Sequence, residues 1–398
     1  MKNRLIVLIT FIIISLSSSV IINPAFSSVL LQRVNFKVVG DIMVHDVQYR
    51  SAYDWQTGNY DFLPMFELIK ENLDADVLVG NLETTLSGPK LGYSGYPRFN
   101  SPDNLAETLS KLGFDMLFTA NNHSLDKGEF GLRRTIEIIE ENNISHTGTF
   151  LSEEDREKPR IITAKGISFG FLNYTYGTNG LKAPKDKEYL VNYINLEKIT
   201  EDIINLKPLV DMVVVGIHFG NEYWQSPSDE QRLVAYEIAK AGADIILGSH
   251  PHVLQPFEFI DIDGKKSFVV YSLGNFVSGQ KQRFTDGGAI LELVIEKSIL
   301  DNRPKIVKID YTPIWVRRYV NMGRLRMEVV PVKEEIPLNV LLSAAELKKA
   351  AEVENDVKAI WQPVIYDNSF NSILSIWANN FLPITDPKWW LPTLINFK

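Results

Sequence analysis

Four segments of the chain repeat one plan, in which an aspartate is followed by a mostly apolar run and then by a polar cluster holding Glu or His. They read DADVLVGNLE (74–83), GFDMLFTANNH (113–123), LVDMVVVGIHFG (209–220) and GADIILGSHPH (242–252). A short apolar run between turn residues predicts a strand buried on both faces. Helical patterns precede three of them. FLPMFELIKENL comes before the first, and DNLAETLSKLG, closing on Gly113 as a C-cap, comes before the second. SPSDEQRLVAYEIAKAG comes before the fourth, with Ser226 expected as N-cap, Pro227 in the first turn and Asp229 in a near capping box. VNFKVVGD, ending on Asp41, predicts another strand, as do FVVYSLGNF (268–276), GAILELVIEK and PKIVKIDYTPIWVRR. A helix is expected over 343–360. Strands alternating with helices predict an α/β fold with a largely parallel sheet, whose strand-end loops converge on the ligand crevice.

The pattern breaks at both ends. Lys2 and Arg4 precede an apolar run from Leu5 to Leu16, then serines, then Ala25-Phe26-Ser27. Small residues before a cut after Ser27 suit a secretory signal peptide, and an uncleaved membrane anchor is the competing reading of residues 1–27. Either one exports the body of the protein, to the outside or to the cell surface. After a body expected over 34–333, residues 334–398 form a helical, Trp-rich extension carrying Trp377, Trp389 and Trp390. Prolines 383, 387 and 392 break its end too often for a bilayer span, so packing on the main body is the favoured expectation.

Composition narrows the chemistry. A formal charge of −8 lacks the basic face that nucleic acid requires, so no nucleic-acid partner is expected. The chain has no cysteine, which removes thiolate metal sites, disulfides and thiol nucleophiles together. Any metal must sit on His, Asp, Glu, Asn or water. The predicted strand ends would gather Asp41, Glu83, Asn122, His123, His218, His250 and His252, and four of the six histidines are among them. Two carboxylates, an amide and several imidazoles suit one or two divalent cations such as Mn, Fe or Zn. In His250-Pro251-His252 the proline disfavours helical backbone before it. An extended segment would then point both imidazoles to one side, so that a single loop could serve two adjacent cations. The competing explanation is an ordinary turn, since Asp, Asn, Gly and His are common loop residues.

GDIM (40–43), NLETTLS (81–87), ANNHSLDKG (120–128), HFGNEY (218–223), GSHPHVLQP (248–256) and SLGNF (272–276) stand in the order found in the CapA-type capsule (poly-γ-glutamate) synthesis family, which the chain resembles. YPRFNSP (96–102) resembles a further segment of that family. The resemblance implies a metallo-dependent phosphatase-like layered α-β-β-α sandwich with largely parallel central strands, plus the C-terminal helical extension. It implies metal ligands at Asp41, Glu83 (where related phosphatases place a bridging Asp), Asn122, His218, His250 and His252. His123 would face the leaving-group oxygen, with Asp126 orienting it. Met43 stands where phosphatases of this fold carry a histidine. His45, two residues on, could reach in, although a structural or surface role is favoured.

Glu222 is a candidate base or substrate contact, and Arg98, Lys281 and Arg283 are candidates for gripping an anion. Asn275 would either line the cleft or make a turn. Three roles remain open. The chain could act in synthesis or export of an anionic capsule polymer, beside membrane-bound polymer synthase partners. It could be a secreted metal-dependent phosphoesterase or similar hydrolase, or a polymer-binding scaffold without turnover.

Overall fold

The computed structural model describes residues 31–298, 301–332, 341–361 and 364–365. The expected N-terminal leader or anchor and Trp377, Trp389 and Trp390 of the expected extension lie outside these residues.

Two sheets face each other. In the first, β1 (Leu31–Ile42), β2 (Val77–Leu82), β3 (Met116–Phe118) and β4 (Ser145–Thr147) run parallel in that spatial order. In the second, β5 (Arg160–Ala164) lies antiparallel beside β6 (Ile167–Thr175), which runs parallel to β7 (Met212–His218) and then β8 (Ile245–Ser249). A hairpin, β9 (Phe257–Ile262) and β10 (Lys265–Val270), closes that sheet through β10, which is parallel to β8. Back in the first sheet, β11 (Asn275–Val277) pairs parallel with the end of β1. On the same side, β12 (Gly287–Ser298), β13 (Pro304–Asn321) and β14 (Arg324–Pro331) add an antiparallel wing. Strands β1 to β4 in the first sheet and β6, β7, β8 and β10 in the second are parallel, as the apolar runs predict, while β12–β14 make the first sheet mixed.

Helices complete four layers. Before β2 come α1 (Asp46–Ala52) and α2 (Leu63–Phe66), the latter continuing as 3₁₀ turns over Glu67–Leu73. Then α3 (Asn104–Lys111) and α4 (Gly128–Glu141) flank β3, and α5 (Glu153–Glu157) follows β4. On the second sheet, α6 (Leu196–Leu206) and α7 (Asp229–Ala241) flank β7. Period-two alternation explains the layering. Val214 of β7 faces the inter-sheet core with Phe36, Val79 and Phe169, while Val213 and Val215 face Ile203 and Ile238 of the helices. Every residue of β2, β7 and β8 is buried, as befits strands covered on both faces. Phe36 meets Phe169 at 5.2 Å between ring centres, one of the contacts that lock the sheets together.

One local expectation is corrected. The N-cap of α7 is Ser228, whose hydroxyl accepts from the Gln231 N–H in a capping box, rather than Ser226. The expected C-terminal helix is α8 (Ala344–Ile360), and Ala350, Val353, Val357 and Trp361 join the inter-sheet core. Trp361 donates its indole N–H to the Gln255 carbonyl at 2.8 Å, and its own carbonyl accepts from the Tyr311 hydroxyl at 2.7 Å.

Close backbone approaches bring the site together. A Cβ on Gly40 would stand 1.9 Å from the Gly274 carbonyl oxygen, and one on Gly248 would stand 2.0 Å from that of Tyr271. Only glycine permits these contacts, and they lie just before Asp41 and just before Ser249-His250.

Candidate metal centre

The site forms where parallel strands of both sheets end. Asp41 is the next-to-last residue of β1, with its N–H donating to the Gly274 carbonyl at 2.9 Å. Glu83 follows β2, Asn122 and His123 follow β3, His218 ends β7, and His250 and His252 follow β8. All seven side chains are buried. His252 Nδ1 lies 3.1 Å from Asp41 Oδ2, and His218 Nε2 lies 2.8 Å from Asn122 Oδ1. The His218 and His250 ring centres are 4.8 Å apart. Glu83 Oε1 sits among them, 3.8 Å from His218 Nε2, 3.8 Å from His252 Nε2 and 4.0 Å from His123 Nε2.

These residues fit a divalent cation. Glu83, His250 and His252 offer donors within 4.8 Å of one another, and so do Asp41, Glu83 and His218. Glu83 belongs to both groups, which suits a shared ligand between two cations. Glu83 Oε1 and His250 Nδ1 are buried without a hydrogen-bond partner among the described residues. An orphaned buried acceptor costs free energy unless something of opposite polarity meets it. Burial first, and then the Asp41 carboxylate, pushes the Glu83 carboxyl well above the usual range. Burial and the neighbouring imidazoles push His218 well below its ordinary value, and His250 to about 3. Neutral imidazoles are the ligand form, and a cation would draw the proton from Glu83.

The His-Pro-His segment is not extended. His250 has φ of 101° and His252 has φ of 59°, both left-handed, so the loop curls to present its imidazoles. Such backbone costs about 1–3 kcal/mol per residue and persists where surrounding packing over-determines it.

Other expected residues are placed as follows. His123 Nδ1 lies 2.7 Å from Asp126 Oδ2, which also accepts the Phe99 N–H at 2.6 Å. The imidazole therefore holds its proton at Nδ1 toward Asp126 and turns Nε2 toward Glu83 and the cleft. Two cavities of about 330 Å³ adjoin this point, and both are lined by Tyr96, His123 and Glu222. One extends past Arg98, Asn122, Asp126 and Asn179, the other past Met43, His45, His252, Gln280 and Lys281. Asn275 lines neither. Its amide donates at 2.9 Å to Gln280 Oε1 and to the Thr285 carbonyl, so it closes the 275–285 loop. Arg283 also turns away, pairing with Asp356 of α8 at 2.8 Å.

Sequence reading missed several partners. Asn81 Nδ2 donates to Asp41 Oδ1 at 2.7 Å and lies 3.4 Å from Glu83 Oε2, tying the two carboxylates. Ser249 Oγ lies 2.8 Å from His218 Nδ1 and sets that ring's orientation. Asn122 Nδ2 donates to Asn179 Oδ1 at 3.3 Å, aiming its own Oδ1 at His218. Asn81 and Ser249 each sit within two residues of an expected ligand, which was the available signal.

His45 is held outside the donor cluster. Its Nδ1 accepts the Gly279 N–H at 3.0 Å, and it is the N-cap of α1. Burial lowers it from 6.5 to about 4. In the fold it therefore stays neutral where the unfolded chain takes up a proton, so its stabilising contribution is complete above pH 6.5 and is lost as pH falls toward 4. His250 acts in the same sense over 6.5 to about 3, and Glu83 in the opposite sense. Comparison with His45→Asn isolates the first. After chelator treatment, the wild-type melting midpoint should fall further between pH 6.5 and 4 than that of the variant; parallel curves would refute this.

Comparisons with known proteins agree with the motifs. The profile of the family described as "Bacterial capsule synthesis protein PGA_cap" matches residues 35–280. The chain is 30% identical over 263 residues to "PGA biosynthesis protein CapA" of Bacillus subtilis (strain 168), covering 65% of this chain and 67% of that protein. It is 29% identical over 273 residues to "Capsule biosynthesis protein CapA" of Bacillus anthracis, covering 66% of this chain and 64% of that one. Among solved structures, a novel phosphatase from Mycoplasma pneumoniae matches 72% of this chain and 95% of its own, with TM-score 0.44 and 13% identity. A 5'-nucleotidase precursor from Thermus thermophilus matches 82% and 59%, with TM-score 0.39 and 13% identity. At those scores the two structures say nothing about chemistry. The family profile, by contrast, spans every residue gathered around Glu83, and the chain belongs to the bacterial capsule synthesis protein family.

Proposed function

We propose that this protein acts at the cell surface in the synthesis or export of an anionic capsule polymer of poly-γ-glutamate type, using a divalent-cation centre of hydrolase type. The name of the family and those of its CapA relatives support the capsule role. The leader-like N-terminus supports export. The observation that carries the chemistry is the orphaned, buried Glu83 Oε1 ringed by His123, His218 and His252. Asp41, Glu83, Asn122, His218, His250 and His252 would hold one or two cations. Bound there, a cation such as Mn, Fe or Zn supplies Lewis-acid polarisation of an ester or amide oxygen.

The chain's own residues supply the rest. His123, its Nδ1–H braced by Asp126, takes up a proton at Nε2 from solvent and delivers it to the departing oxygen or nitrogen. Glu222, at the meeting of the two cavities, is the candidate base on the open side. The His123–Asp126 pair favours turnover over a passive scaffold, because holding a polymer does not require an imidazole oriented by a buried carboxylate. A metal-dependent phosphoesterase acting on a smaller substrate is the second reading, favoured by the same pair. The deciding measurement is metal content of the purified protein beside Asp41→Ala and His252→Ala, followed by Mn-dependent hydrolysis. Loss of metal in both variants is expected. Unchanged stoichiometry in both would end the assignment.

A further inference from the structure

The two cavities meet at His123, Glu222 and Tyr96 instead of forming one blind pocket. A small terminal group needs only one of them. Each also carries a cationic side chain, Arg98 in the first and Lys281 in the second, and neither has an ion-pair partner among the described residues. Tyr96, 74% exposed, stands over the junction.

The second arm contains a fixed neutral donor. Because the Gly279 N–H donates to His45 Nδ1, the proton of the neutral ring resides on Nε2. The ring is held on several sides. Phe99 packs against its edge at 5.0 Å and against His123 at 4.6 Å, so one phenyl ring positions both imidazoles. A Cβ on Gly279 would stand 2.3 Å from His45 Cβ, and one on Gly95 would stand 2.9 Å from its Cα. A donor locked this way loses little rotamer freedom when it binds an acceptor.

We propose that the cleft takes an anionic chain lengthwise, one arm gripping it at Arg98 and the other at His45 and Lys281, so that an internal linkage lies at His123. His45 then recognises a chain oxygen through Nε2–H and is a specificity-determining residue instead of a metal ligand. This rests on the polymer reading above. Anionic groups on both sides of the held linkage match one cation per arm, and a neutral donor suits the amide or ester oxygen between them.

The test is equilibrium binding of fluorescent poly-γ-glutamate chains to the Mn-loaded protein, with a short and a long oligomer and with chain ends free or blocked. The long oligomer should bind about 10-fold tighter, whether or not its ends are blocked. His45→Asn keeps an N-cap and an acceptor for Gly279 but removes the reach of Nε2. It should erase most of the gain from length while leaving metal content and short-chain affinity unchanged. His45→Gln, which restores the reach, should recover part of that gain. Arg98→Ala should weaken both oligomers. Equal affinity for both lengths, loss of binding on blocking the ends, or equal weakening of both by His45→Asn would overturn the proposal. So would failure of wild type to bind either oligomer, and in that case metal content in the Asp41 and His252 variants still decides the cation centre separately.

Discussion

Replacing Glu83 with Gln should stabilise the metal-free protein at neutral pH while cutting its cation affinity by about 100-fold or more. The two effects have one origin. Glu83 is fully buried, its Oε1 has no partner among the described residues, and burial with the Asp41 charge raises its carboxyl well above the usual range. A carboxyl raised in the folded state favours folding below its unfolded value, and that contribution is lost as pH rises through the folded value. At neutral pH the metal-free fold therefore carries either a buried charge or a proton held against the solvent. Gln removes this burden, and each kcal/mol recovered moves the melting midpoint by roughly 2–4 °C in a domain of moderate size. A bound cation would reverse the sign, because Glu83 belongs to both donor groups and its carboxylate would then serve as a ligand. Calorimetry with and without chelator, beside metal analysis, reads both halves. A Gln variant that is less stable without metal, or one that keeps its metal, would remove Glu83 from the centre.

The second large effect belongs to His123. Substitution by Asn should lower hydrolysis by about 100- to 10,000-fold for a substrate with a poor leaving group, with metal content intact. The ring lies beside Glu83 without completing either donor group, and its Nδ1 is committed to Asp126 at 2.7 Å. If His123 protonates the departing atom, the deficit should nearly vanish for a p-nitrophenolate ester, whose leaving group needs no proton. Asp126→Asn should show the same dependence on leaving group with a smaller loss, since it acts through the imidazole. A uniform loss across leaving groups would assign His123 to binding or structure.

Much of this centre is legible in the chain itself. The strands that lead to Glu83, His218 and His250 stand out as apolar runs because they are covered on both faces, and continuous burial leaves a continuous apolar signature. The ordered motifs point to His123 and Asp126, and the structure puts those side chains in contact. Other details resist. Pro251 restricts His250, but it does not reveal that both flanking histidines are left-handed or that the His250 N–H lies 3.4 Å from Asp41 Oδ2 of β1. Asn275 looks equally apt for cleft or turn, and only the closed fold shows its amide donating to Gln280 and Thr285. Arg283 is a plausible anion grip until α8 supplies Asp356.

Periodicity and end-of-strand polarity thus specify which residues are buried and which stand at loop positions, since those properties are set by neighbours a few places away along the chain. The orientation of each polar atom is another matter. Asn81 bridging Asp41 and Glu83, Ser249 turning His218, and Gly279 fixing the proton of His45 all depend on groups brought together from distant stretches. Such partners become neighbours only when the two sheets close on each other, because a buried donor or acceptor takes whatever complement the closed fold places beside it.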